Sequence, residues 1–207
     1  MAIKRTAVRQ VSAAPTDVLP EDDYDARLVY VADLGVQKGN PKYDQKDNQQ
    51  LALCLEIVGR TREFEGETVP QLLWGSAFNI FQKLNELGNE YKNFKIFEPS
   101  CQEGDVADWD KVLGVPCSVS TIINDRGYAE IEEITRVAKK HLDGVLDSIV
   151  TDMCTGDVDD EDNPAQKAMF GLPRWLVDNN RAGHEEGEPL VAQKPQASGI
   201  EDEDIPF

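Results

Sequence analysis

The chain has 207 residues, 40% of them apolar, and its 39 Asp and Glu against 21 Lys and Arg give a formal net charge of −18. That apolar fraction fills one core domain with appendages, and no run approaches the roughly 18 consecutive apolar residues that a membrane span needs. Overall charge rules out nonspecific adhesion to nucleic acid, so any such binding needs a local patch, and the distribution allows one: residues 1–100 carry 12 basic against 15 acidic side chains, residues 101–207 carry 9 against 24.

Residues 1–23 are polar and proline-punctuated and read as a flexible arm. They lack the apolar stretch of a secretory signal, so the expected compartment is the cytoplasm. Residues 24–37 are rich in β-branched and aromatic types, with even positions apolar throughout, and predict a first strand stopping at Gly35. Residues 38–48 have the Gly, Pro, Asn, Asp and Lys of a long loop. In residues 49–61, Leu51, Leu53, Leu55 and Ile57 alternate with Gln50, Ala52, Cys54, Glu56, Val58 and Arg60, which predicts a half-buried second strand. A turn over 62–67 leads to a third strand over 68–76, where Pro70 favours an edge or a bulge.

Ser76 can cap a helix over 77–87, in which Phe78, Phe81, Leu84 and Leu87 recur at helical spacing before Gly88. Residues 89–114 read as irregular. Residues 115–125 and 128–137 then form a hairpin around the turn "NDRG". Three strands, a helix and two strands predict a mainly β fold: a five-stranded OB barrel with a helix between strands three and four, spanning residues 24–181 with its C-terminal extension.

Within that extension, residues 138–156 are helical or irregular, and residues 163–180 form a helical stretch broken at Pro173. The run "DVDDED" from Asp157 has the acids of a calcium loop but Asp162 and Ala168 where glycine and glutamate are required, so no metal is expected there. Cys54, Cys101, Cys117 and Cys154 are scattered, with only His141 and His184 as imidazole partners, and are expected to be reduced and mostly buried. Trp109 and Trp175 read as packing residues. No cofactor is expected, and no phosphate-cradling glycine loop, nucleophile motif or rigid carboxylate cluster points to an enzyme.

Residues 182–199 have the composition of a disordered tether. It ends in "EDEDIPF": Asp202, Glu203 and Asp204 run into Ile205, Pro206 and Phe207. Apolar residues on a tether suit capture by a partner with a pocket for Phe207 and a cation for its carboxylate. This tip resembles the acidic tip of bacterial single-stranded DNA-binding proteins. The segments "YDARLVYVADLGVQ", "AFNIFQKLNELG" and "FGLPRWLVDNN" are similar to single-stranded DNA-binding proteins of tailed bacteriophages, which are also OB folds. The resemblance implies an accessory protein of phage DNA replication, recombination or repair in the infected bacterial cytoplasm. Its implied partners are single-stranded DNA and, through the tip, nuclease, helicase or polymerase components.

Gripping a single strand takes cations for phosphates and aromatic faces for bases. The candidates are Arg27 and Tyr30 in strand one; Lys38, Lys42, Tyr43 and Lys46 in the first loop; Arg60 and Arg62 ending strand two; Trp74 in strand three; Tyr91, Lys95 and Phe97 beyond it; and Arg126 and Tyr128 at the hairpin. Trp74 also fits a core position, and Tyr30 fits either role. A competing reading, favoured by net charge, is an acidic DNA mimic or inhibitor that occupies host enzyme pockets through its tail. Oligomeric state stays open.

Overall fold

The structure is a computed structural model that describes residues 19–39, 42, 46–64, 66–138, 141–142, 145, 147–150, 152–157 and 178. Along the chain these form β1 (Asp23–Gln37), β2 (Asn48–Phe64), β3 (Glu67–Trp74), β4 (Phe78–Asn79), α1 (Asn89–Phe97), a single 3-10 turn (Trp109–Val112), β5 (Pro116–Ile123), β6 (Ala129–Arg136) and β7 (Cys154–Asp157). The fold is mainly β. The strands make one sheet in the order β3-β2-β1-β5-β6, with β4 also on β2 and β7 also on β1. All pairings are antiparallel except β7 on β1. Among the described residues no ladder joins β3 to β6, so the sheet is open, and a cleft of about 480 Å³ is lined from one side by Gly75 and Phe78 and from the other by Ile131 and Ile134.

The long first strand serves two cores because it carries a bulge. Ala26 and Leu28 pair with Ile57 and Leu55, but Tyr30 pairs with Cys54, so one extra residue is inserted at Val29. An inserted residue inverts the in-and-out alternation of everything after it. Accordingly Tyr24, Ala26, Leu28 and Val31 join an inner cluster with Leu51, Leu53, Leu55 and Ile57, whereas Tyr30, Ala32 and Leu34 join an outer one with Ala52 and Cys54. The unbroken apolar run of even positions is thus split between two faces. A second irregularity beside Gly35, whose φ is 63°, lets β1 continue to Gln37 instead of ending there.

β2 is buried on both faces from Leu51 to Ile57, not on one as its alternation suggests. The outer residues are small because chain lies over them: Val145 and Val150 are buried, and Tyr30 donates its hydroxyl to the Gly156 carbonyl at 2.9 Å. Glu56 is wholly buried, accepting from the Ser148 hydroxyl and from the Ile149 amide at 2.8 Å. β7 therefore belongs to a region that sequence leaves helical or irregular.

A helix does lie between the third and the next long strand, but displaced. Residues 77–87 are not helical: Phe78 and Asn79 pair with Leu51 and Gln50, and the Ile80 amide donates to the Gln49 carbonyl at 2.9 Å. β2 extends past the end of β3, and β4 satisfies the donors and acceptors it would otherwise leave bare. Phe78 and Leu84 enter the inner core while Phe81 and Leu87 are 53% and 88% exposed, so the four do not share one helical face. α1 follows instead, with Tyr91, Phe94 and Phe97 buried at three-residue spacing, Glu90 in its first turn and Lys95 in its last.

The hairpin forms where expected. Asn124 Oδ1 accepts from the Arg126 and Tyr128 amides at 2.9 and 3.0 Å, and Gly127 takes a φ of 80°. Cys54, Cys101 and Cys117 are buried thiols, and Trp109 packs in the inner core against Phe94 at 5.0 Å between ring centroids. Of the expected arm over residues 1–23, the end packs on the sheet: Leu19 is buried and the Pro20 carbonyl accepts from the Tyr24 and Thr121 hydroxyls. The rest of that arm, Trp175, the broken helical stretch apart from Asp178, the tether and the tip lie outside the described residues. Among the described residues no helix is long and apolar enough to cross a membrane.

Candidate nucleic-acid interface

The outer face of the sheet, followed along β2 from its start, changes from polar to apolar. Gln37 pairs with Asn48, Gln50 with Asn79, and Cys54 with Trp74, so four strands contribute to one row. Cys54 lies four positions along the strand from Gln50, about 13 Å at the usual rise. At the polar end the side chains of Gln37, Asn48, Gln50 and Asn79, with Lys38 and Lys46, line a cleft of about 270 Å³. At the apolar end Trp74 is half-buried, its ring edge-on to Tyr30 with centroids 5.8 Å apart.

The β1–β2 loop supplies the charge. Lys38, Lys42 and Lys46 are all exposed, and Lys38 makes a long ion pair of 3.7 Å with Asp47. The Asp47 carboxylate also accepts from the Gly39 amide at 2.8 Å, which pins the loop where it leaves β1. Mostly solvated ammonium groups beside a polar cleft and a partly open indole can take a phosphate chain and an unpaired base together. Tyr43, the aromatic residue between these lysines, lies outside the described residues.

The remaining sequence candidates are placed elsewhere. Tyr30, Tyr91 and Phe97 are 1%, 6% and 5% exposed and are core side chains, so they offer no ring face for stacking. Arg27 is structural: its guanidinium donates to the Gly114 carbonyl at 2.7 Å, bracing β1 against the chain entering β5. Lys95 is exposed on α1, donates to the Tyr91 hydroxyl at 2.6 Å and has its pKa raised by that bond. Arg60 is exposed with its guanidinium 4.8 Å from the Tyr24 ring centroid. Gly59, at a φ of 74°, interrupts the alternation just before it, which is how a residue of the polar series comes to cover the inner core.

Arg62 sits opposite Val69, and Arg126 and Tyr128 are exposed on the β5–β6 turn. These groups belong to the other end of the sheet: β5 ends against the start of β1, with Asp23 opposite Ser120, whereas the lysine loop follows the end of β1. The structure therefore puts Lys38 and Lys46 at the polar cleft and Trp74 farther along the same row, with Lys42 exposed in the same loop, and leaves Arg60, Arg62, Arg126 and Tyr128 at a distance along β1. Sequence reasoning missed the amides. Gln50 was visible on the polar side of β2, but Asn79 joins it only because β4 is a strand.

A scan against protein-family models, a search of curated proteins and a search of solved structures each return no match.

Proposed function

We propose that this chain is a non-catalytic single-stranded DNA-binding protein of the OB type, serving phage DNA replication, recombination or repair. The observation that carries the reading is the cationic β1–β2 loop opening onto a sheet face with a polar cleft and a half-buried tryptophan. The topology supports it: β1-β2-β3 as a meander, β5 on the free side of β1, β6 beyond, and α1 between β3 and β5 follow the OB connectivity, with the β3–β6 closure left unpaired. On this reading Lys38, Lys42 and Lys46 neutralise phosphates while Trp74 and Tyr43 stack bases, each stack contributing about 1–3 kcal/mol. The tip at Asp202–Phe207 recruits partner enzymes by presenting Phe207.

Fluorescence anisotropy of labelled oligo-dT against a matching duplex, at two salt concentrations, tests this. Tight, salt-weakened binding to the single strand with little to the duplex is expected. Absence of binding at low salt would overturn the reading, and the net charge of −18 would then favour an acidic mimic that occupies enzyme pockets through its tail.

A further inference from the structure

A cleft built only to hold phosphate would be lined by cations, yet this one is lined chiefly by amides. Gln50 and Asn79 face each other across the β2–β4 ladder, and Gln50 Nε2 donates to Asn79 Oδ1 at 2.8 Å. An amide has one acceptor oxygen and two donor hydrogens, so this bond orients both groups and leaves the pair Gln50 Oε1 as an acceptor and Asn79 Nδ2 as a donor for a ligand. Asn48 is oriented too, its Nδ2 donating to the Lys46 carbonyl at 2.7 Å. The cleft, about 270 Å³, is just smaller than the usual ligand pocket and suits one ring better than an extended ligand.

An acceptor beside a donor is the complement of adenine, whose N6 amino group donates next to the N7 acceptor. Amide side chains pair with that edge in two-point fashion. A single strand leaves its bases free to turn an edge into such a cleft while lysines hold the neighbouring phosphates. Here Lys38 and Lys46 line the same cleft as the amides, so the backbone and the base can be engaged at once.

We infer that the Gln50–Asn79 amide pair is a nucleobase-reading subsite that accepts one unstacked adenine, giving an otherwise sequence-tolerant protein a preferred register on its strand. This rests on the single-stranded DNA reading above and adds to it a base preference. It assigns Gln50 Oε1 to the adenine amino group and Asn79 Nδ2 to N7.

The test uses the full chain and three twelve-nucleotide strands: oligo-dT, the same strand with one central adenine, and the same strand with 7-deazaadenine there. The adenine strand is expected to bind at least about 5-fold tighter than oligo-dT, the lower end of a two-point contact, and 7-deazaadenine should remove most of the gain. Gln50→Ala and Asn79→Ala should each abolish the adenine preference, lowering affinity for the adenine strand to that for oligo-dT measured with the same variant, while the thermal midpoint shows that the variant is folded. Equal affinity for all three strands would overturn the subsite while leaving the DNA-binding reading intact. Failure to bind oligo-dT would remove both.

Discussion

Glu56 holds a segment of chain over the outer face through two bonds at one buried carboxyl, from the Ser148 hydroxyl and the Ile149 amide. Glu56→Ala removes the acceptor of both bonds and leaves the Ser148 hydroxyl only the Val150 carbonyl at 3.0 Å, and a loss of about 1–3 kcal/mol in urea unfolding is expected. Cys117 and Cys54 sit in the two cores and report on pH. Burial pushes the Cys117 thiol up to about 12 and, with Glu56 nearby, raises that of Cys54 as well. The sign follows from linkage: the unfolded thiol ionises near pH 9 while the folded one stays protonated, so the stabilisation is complete below about pH 9 and is lost as pH rises towards 12. The unfolding midpoint of the wild-type chain should therefore fall more steeply over that window than that of Cys117→Ala. At pH 8 both thiols should react with Ellman's reagent no faster than the protein opens, and rapid reaction would show that these cores are not closed.

The β5–β6 turn isolates a backbone effect. Gly127 adopts a φ of 80°, and a Cβ added there would meet nothing within 4 Å. Gly127→Ala should thus cost about 1–2 kcal/mol through conformation alone, measurable by chemical denaturation with no change in ligand binding. That turn was legible because Asn, Asp and Gly act locally, as were β1 and β2 from their β-branched and alternating residues. Elements decided by distant partners were not. Residues 78–79 become β4 because β2 overhangs β3, and residues 154–157 become β7 because β1 has a vacant edge beyond β5; neither cause lies within the segment itself. The interface shows the same division. Lys38, Lys42 and Lys46 follow from loop composition, but residue type alone does not place Tyr30, Tyr91 and Phe97 inside, since an aromatic ring serves a core as well as a base stack.

Across the whole molecule, charge and binding have opposite signs, so the proposed grip depends on a few cations acting locally within a Debye length of about 10 Å at 0.1 M salt. Replacing Lys38, Lys42 and Lys46 together by Ala should reduce the slope of log affinity against log salt by about 2, given roughly 0.7 per phosphate neutralised on a single strand. An unchanged slope would move the phosphate path to the far end of β1, where Arg60, Arg62 and Arg126 stand. The open sheet carries a different consequence for how copies of the chain meet. Among the described residues β6 ends the strand order, and along it Glu130, Glu132, Glu133 and Arg136 are exposed. A bare strand edge is a template on which a neighbouring molecule can lay its own strand, and clustered carboxylates make the matching edge of a second copy repel the first. Replacing the three glutamates by threonine should let the protein aggregate through β6 as its concentration rises, visible by light scattering. In a crowded solution, the surplus acid on this strand would act as insulation.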